Sequence, residues 1–97
     1  MNVVFASLAE QEFDDAVDWY EGQMSGLGER FKAEVRHGLA RIEAHPMAWP
    51  TERGDVRKYL LNRFPYKLLY ATEPSQIVIL AVAHQHRRPD YWVERSD

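Results

Sequence analysis

Residues 57–84 read RKYLLNRFPYKLLYATEPSQIVILAVAH, and the way this stretch divides decides the order of elements in the chain. Arg57–Asn62, Tyr66–Ala71 and Ile77–His84 each have the length of a strand and are rich in residues that favour extended backbone. Phe64-Pro65 and Glu73-Pro74-Ser75 separate them, and both connections are short enough for hairpins, which predicts a three-stranded antiparallel meander. The last run, Ile-Val-Ile-Leu-Ala-Val-Ala, is apolar on both faces. That places it inside the sheet, with one face under other elements and the opposite face partly covered.

Upstream of this stretch the period is helical. Ala9, Phe13, Ala16, Val17, Tyr20 and Met24 recur at spacings of three and four, and Ser7-x-x-Glu10 reads as a capping box ahead of them. Glu12, Asp14, Asp15, Asp18 and Glu21 read as the solvated face of the same helix. Ser25 and Gly26 break the pattern, Leu27, Phe31, Val35, Leu39 and Ile42 restart it, and Pro46 ends it. Two helices joined by so short a turn must lie antiparallel. Met47–Gly54 reads as a connector, and Val3-Val4-Phe5 as a first strand expected in the same sheet. The order β-α-α-β-β-β predicts an α+β domain over residues 1–97: a two-helix hairpin packed on a mainly antiparallel sheet of about four strands.

At 97 residues, 45% of them hydrophobic, the chain is long enough for one core. The absence of Cys excludes disulfides and thiolate metal sites and fits a reducing compartment. Residues 1–24 carry no basic or apolar leader, and no apolar run approaches the roughly 20 residues that span a bilayer. A cytoplasmic protein without membrane association is expected. The net charge of -3 is uneven: residues 1–50 hold four Lys/Arg against nine Asp/Glu, and residues 51–97 eight against six, giving -5 and +2. The second half suits an anionic partner better.

Three groups of residues resemble the RelE/ParE family of type II toxins, and its ParE branch in particular. They are Ala16-Val17-Asp18-Trp19-Tyr20-Glu21 with Gly26-Leu27-Gly28-Glu29-Arg30-Phe31; Ile42-Glu43-Ala44-His45-Pro46 with Trp49-Pro50; and Phe64-Pro65-Tyr66-Lys67-Leu68-Leu69-Tyr70 with Ala81-Val82-Ala83-His84 and Arg88-Pro89-Asp90-Tyr91. Their order and spacing span nearly the whole chain. The resemblance implies a plasmid-stabilisation type toxin held inactive by a cognate antitoxin. In its ParE branch the target is DNA gyrase, bound without catalysis; in its RelE branch it is mRNA, cut on the ribosome without a metal. A module that keeps antitoxin binding and has lost toxicity is a third reading.

RNA cleavage of that kind needs a base, an acid and cations around the phosphorane-like transition state. The resemblance places Lys58, Lys67 and Tyr91 on positions of the RelE-type Lys, Arg and Tyr, with Arg87 or Arg88 and His84 or His86 as further nuclease candidates. Leu60 and Gln85 stand where that type has another Lys and an Arg, which favours the non-catalytic branch. For contact with target or antitoxin, Arg63, Lys67, Arg87 and Arg88 are expected to form a cationic patch at one end of the sheet, with Tyr91 and Trp92 as stackable rings and His86 as a further contact residue. The alternative is that Tyr91 and Trp92 anchor the tail on the core. His84-x-His86 offers two metal ligands without a third, so no metal, cofactor or small-molecule substrate is expected. Trp19 and Tyr20 are expected to pack within the helical hairpin and Trp49 to plug the space between hairpin and sheet. The acidic helix face could alternatively dock a basic antitoxin segment.

Overall fold

The apolar run near the start becomes a strand, β1 (Asn2–Phe5), in a computed structural model that describes residues 1–95. Helices α1 (Ser7–Gln23) and α2 (Leu27–Ala44) follow, then strands β2 (Thr51–Arg53), β3 (Val56–Leu60), β4 (Tyr66–Thr72) and β5 (Gln76–His84). The five strands form one sheet in the order β1-β5-β4-β3-β2. β1 runs parallel to β5, with Val3 opposite Ile77, and every other pairing is antiparallel. The α+β meander and the helical hairpin match the reading of the sequence. Met47–Gly54 is more than a connector, because Thr51 and Arg53 pair with Arg57 and Val56 around the left-handed Gly54 (φ 55) to add a short edge strand.

The passage from β1 into α1 takes one residue. Ala6 stays extended (φ -63, ψ 152), its N–H donates to Ile79 O at 2.9 Å and its carbonyl accepts the Glu10 N–H at 2.9 Å. Ser7 is therefore already helical, Ala6 is the N-cap, and the anticipated Ser7–Glu10 capping box does not form. The turn between the helices is held differently: the Glu21 carboxylate accepts the N–H groups of Gly26 and Gly28 at 2.9 and 3.0 Å. It satisfies donors that the start of α2 leaves open, while Gly26 supplies the positive φ of 90 that the turn needs.

The core lies between the hairpin and one sheet face. Ala9, Ala16 and Tyr20 of α1 and Phe31, Val35 and Ile42 of α2 are buried over Leu68, Tyr70, Ile77, Ile79 and Val82. Met24, placed on the apolar stripe by its spacing, is instead the exposed C-cap of α1. A register shift pairs Leu69 with Ala81 and Tyr70 with Ile79, so Leu80 is an extra residue in β5. The opposite sheet face carries a smaller cluster of Leu69, Ala81 and Trp92 with Val56, Leu80 and Tyr91 packed around it. The C-terminal segment thus returns across the sheet after β5, turning at Asp90 (φ 62), whose carboxylate meets Arg53 at 3.0 Å.

Gly38 lets α2 pass close over Tyr59 of β3: a Cβ there would stand 2.7 Å from its Cε1. Gly22, in α1, has nothing within 4 Å of the same position. Gly38→Ala is expected to lower stability by about 1–3 kcal/mol by overpacking, whereas Gly22→Ala should raise it by about 0.5–1 kcal/mol through helix propensity. Urea unfolding of the two variants beside the wild type reads both signs.

Candidate functional site

On the sheet face away from the helices, Lys58 of β3 and Lys67 of β4 converge on one carboxylate. Glu52 Oε2 accepts from Lys67 Nζ at 2.8 Å, and Glu52 Oε1 lies 3.6 Å from Lys58 Nζ. The hydrogen bond from Lys67, with the charges of Lys67 and Lys58, outweighs the burial that pushes the Glu52 carboxyl up, and its pKa falls below its ordinary value. Leu60 pairs with Lys67 across the strands and is 52% exposed. The two candidate nuclease lysines are thus brought together, half neutralised, beside an apolar side chain.

Beyond Ala6, β5 continues without β1 beside it. Its Val82 N–H is met by a side chain of α1: Glu12 Oε1 accepts it at 2.9 Å. The same carboxylate accepts the Tyr91 hydroxyl at 2.7 Å and both Arg95 Nη groups at 3.0 and 2.6 Å, and Arg95 Nη1 also donates to Leu80 O at 2.9 Å. Burial pushes the Glu12 carboxyl up, but Arg95, Tyr91 and Val82 together outweigh it and hold the pKa below its ordinary value. Tyr91, half-buried and donating to a carboxylate, is pushed strongly upward. Its hydroxyl is committed to Glu12, and Arg87 stacks on its ring at 3.9 Å.

Between α1 and this edge of β5 runs a groove of ≈ 600 Å³, walled by Trp19, Tyr20, Tyr66, His84, Arg87 and Tyr91. A second groove of ≈ 620 Å³ lies along α2 and the β3–β4 turn, lined by Leu27, Arg30, His37, Arg63 and Phe64. Tyr20 and Pro65 line both. The turn bearing Arg63 is held to α2 by Glu34, which accepts the N–H groups of Asn62 and Arg63.

The anticipated cationic patch is therefore divided. Lys67, Arg87 and Arg88 border one crevice with Trp92, while Arg63 lines the groove on the far side of Pro65. Trp92 offers no ring to a partner: it is 7% exposed and packs on Leu69 and Ala81, as the tail-anchor reading expected. β5 ends at His84, yet the His84 and His86 rings lie 5.2 Å apart, and His84 Nδ1 accepts the His86 N–H at 3.0 Å. Among the described residues no three His, Cys, Asp or Glu side chains gather as metal ligands. Trp49 packs on Tyr59 as expected, under Arg41. Trp19 departs from expectation: it is 59% exposed, while its neighbour Tyr20 is buried against Phe31 and Phe64. Adjacent residues of a helix point about 100° apart, so only one of the two can join the core stripe.

Sequence reasoning missed Glu12, Glu52 and Arg95. Glu12 looked like one more acid on a solvated face; its only signal was a position one residue before Phe13, at the edge of the apolar stripe.

A family model described as the ParE toxin of type II toxin–antitoxin systems, parDE, matches residues 3–89. A solved structure titled "Chromosomal ParDE TA system from P. aeruginosa" shares the fold with a TM-score of 0.63 at 19% identity, covering 87% of this chain and 95% of that one. No curated protein matches the chain significantly. Among the described residues no helix is long and apolar enough to cross a membrane.

Arg95→Ala is expected to cost about 1.5–3 kcal/mol, because it leaves a half-buried carboxylate without its charged partner. The folded Glu12 pKa lies below its ordinary value of 4.5, so the clasp contributes fully above that value and fades as pH falls through the lower folded one. Urea midpoints followed from neutral to acid pH should decline less steeply in Glu12→Gln than in the wild type.

Proposed function

Because the chain belongs to the ParE toxin family of type II toxin–antitoxin systems, we propose that it arrests growth by binding DNA gyrase and that a cognate antitoxin neutralises it. One observation carries the choice of binding over RNA cleavage: the two lysines and the tyrosine that would have to share a phosphate are each engaged elsewhere. Lys58 and Lys67 hold Glu52, and the Tyr91 hydroxyl donates its hydrogen bond to Glu12. A metal-free nuclease depends on cations turned toward a developing anion and on a proton donor free to release its proton. Here a carboxylate already balances one of the two lysine charges, and Tyr91 is held strongly in its protonated form.

The surface left for contact is of the kind protein partners use. Arg, Tyr and Trp dominate interface hot spots, and Trp19, Tyr66, Arg87 and Tyr91 wall a single groove. With the half-exposed Leu60 beside them, the outer-face lysines add a second, mixed surface on which a target and an antitoxin need not compete for every contact. The action proposed belongs in the cytoplasm, where gyrase and nascent antitoxin meet.

Purified protein at saturating concentration is expected to abolish DNA supercoiling by gyrase, and addition of the antitoxin to restore it. Induction without antitoxin should arrest growth with relaxed or broken DNA and intact mRNA. Codon-phased cuts in translated mRNA, with supercoiling unchanged, would replace this reading with the ribosome-dependent endoribonuclease; unimpaired growth would leave the non-toxic binding module.

A further inference from the structure

We infer that the free edge of β3, from Lys58 to Leu60, docks a short extended loop of the target that carries a carboxylate beside an apolar side chain. The inference rests on the reading of this chain as a toxin that binds gyrase, and it adds which surface is used and what chemistry that surface selects. The edge is open because β2 ends too soon. Leu61 N–H turns toward β4 and donates to Tyr66 O at 2.9 Å, so the N–H and carbonyl of Leu60 point the other way. On that side β2 pairs only with Val56 and Arg57. Pro50 accepts the Lys58 N–H at 3.0 Å but has no N–H to return to the Lys58 carbonyl. Among the described residues no strand lies beside Lys58 O and the Leu60 N–H, and the Leu60 side chain is 52% exposed. Folds normally guard an open edge that bears an exposed apolar residue, and such an edge is what an added strand recognises.

Charge decides what the edge accepts. It borders a cavity of ≈ 250 Å³ walled by Arg41, Trp49, Lys58, Tyr59 and Leu60, and none of the residues lining that cavity is acidic. By contrast, Glu34 lines one of the grooves beside Tyr20, and Glu12 and Asp15 line the other. The Arg41 guanidinium lies over Trp49 and Tyr59, 5.4 and 5.8 Å from the ring centroids, and among the described residues it has no ion-pair partner. Lys58 already faces Glu52 at 3.6 Å, so Arg41 is the cation that a new carboxylate meets. A second copy fits less well, because pairing two β3 edges brings Arg41 and Lys58 of one against those of the other. A nucleic acid offers no repeat of N–H and carbonyl groups for the edge to pair with. The edge is also short: Pro50 closes one end, and the β3–β4 turn, tied to α2 by Glu34, closes the other. It admits about three residues, which suits a loop of a folded target better than a segment wrapped around the toxin.

Two titrations of the full chain test this. In the first, acetyl-Leu-Asp-Leu-Asp-Leu-amide is added to isotope-labelled protein and the amide resonances are followed. The Leu60 N–H is expected to shift saturably, Arg41→Glu to weaken the apparent Kd about tenfold or more, and the same peptide with Lys in place of Asp to leave Leu60 unmoved. In the second, inhibition of DNA supercoiling by gyrase is titrated with each variant. Arg41→Glu should raise the half-inhibitory concentration about tenfold, and so should Leu60→Pro, which removes the edge N–H but no bond to β4. Leu60→Ala, which keeps that N–H, should raise it less. Urea midpoints matching the wild type establish that the variants are folded, and Arg41→Glu, on an exposed side chain, decides alone if Leu60→Pro is not. A Leu60 amide that the acidic peptide leaves unmoved, or equal inhibition by the wild type and Arg41→Glu, overturns the inference. So does weakened antitoxin binding in Arg41→Glu with gyrase inhibition intact, which would give the edge to the antitoxin. A wild type that shifts Leu60 with the peptide yet leaves gyrase uninhibited would sink the gyrase reading and keep the edge as a site for an acidic extended segment.

Discussion

A single carboxylate, that of Glu12, holds together three parts of the chain that are far apart in sequence. It accepts the Val82 N–H from the sheet and the Tyr91 and Arg95 donors from the C-terminal segment, while its backbone belongs to α1. The need for it arises from a mismatch in length: β1 has four residues and β5 nine, so much of the β5 edge has no strand beside it. An unpaired backbone N–H in a partly buried place is costly, and a carboxylate is an acceptor strong enough to replace a strand. A carboxylate in that position must in turn be neutralised, which is the role of Arg95. Its two-pronged guanidinium matches the two oxygens and also reaches Leu80 O.

The route of the tail follows from that requirement. With Arg95 and Tyr91 tied to α1, the segment between them and β5 must cross the outer sheet face, and Trp92 is delivered onto Leu69 and Ala81. The outer face thereby acquires its own small core, and the sheet is buried on both sides around β4 and β5. That explains why β5 is apolar on both faces, and why the ring of Tyr91 forms one wall of the α1–β5 groove while its hydroxyl is turned to Glu12.

Much of the architecture was legible because local signals agreed with one another. The period of Leu27, Phe31, Val35 and Ile42 is that of a helix packed on one side, and Pro65 and Pro74 stand where the meander turns. The errors lie where two elements compete for the same residue. Ser7 looked like a cap, but the strand ladder claims Ala6 and starts the helix immediately after it. Thr51–Arg53 looked like loop because three residues are too few for an alternation to show. Trp92 stayed open between a surface ring and a tail anchor because its burial depends on contacts that only the tail's return creates. Glu12, Glu52 and Arg95 were illegible for a stronger reason: a charged residue on an amphipathic pattern reads as solvated, and nothing local distinguishes the one that faces a buried amide.

Binding and catalysis make different demands on the same residue types. Lys58, Lys67 and Tyr91 occupy positions compatible with a nuclease, and residue type alone would leave that chemistry open. Their partners narrow it, because a lysine facing Glu52 and a tyrosine facing Glu12 are stabilised in the ground state of the free protein, and a transition state would have to displace those carboxylates before drawing on either group. Among the described residues the guanidiniums of Arg30, Arg63 and Arg87 have no ion-pair partner and stand in the opposite condition, since binding an acid costs them only water. Cations already satisfied on the outer face and cations left open around Tyr20 thus favour recognition over reaction, through charge placement that the net value of -3 conceals.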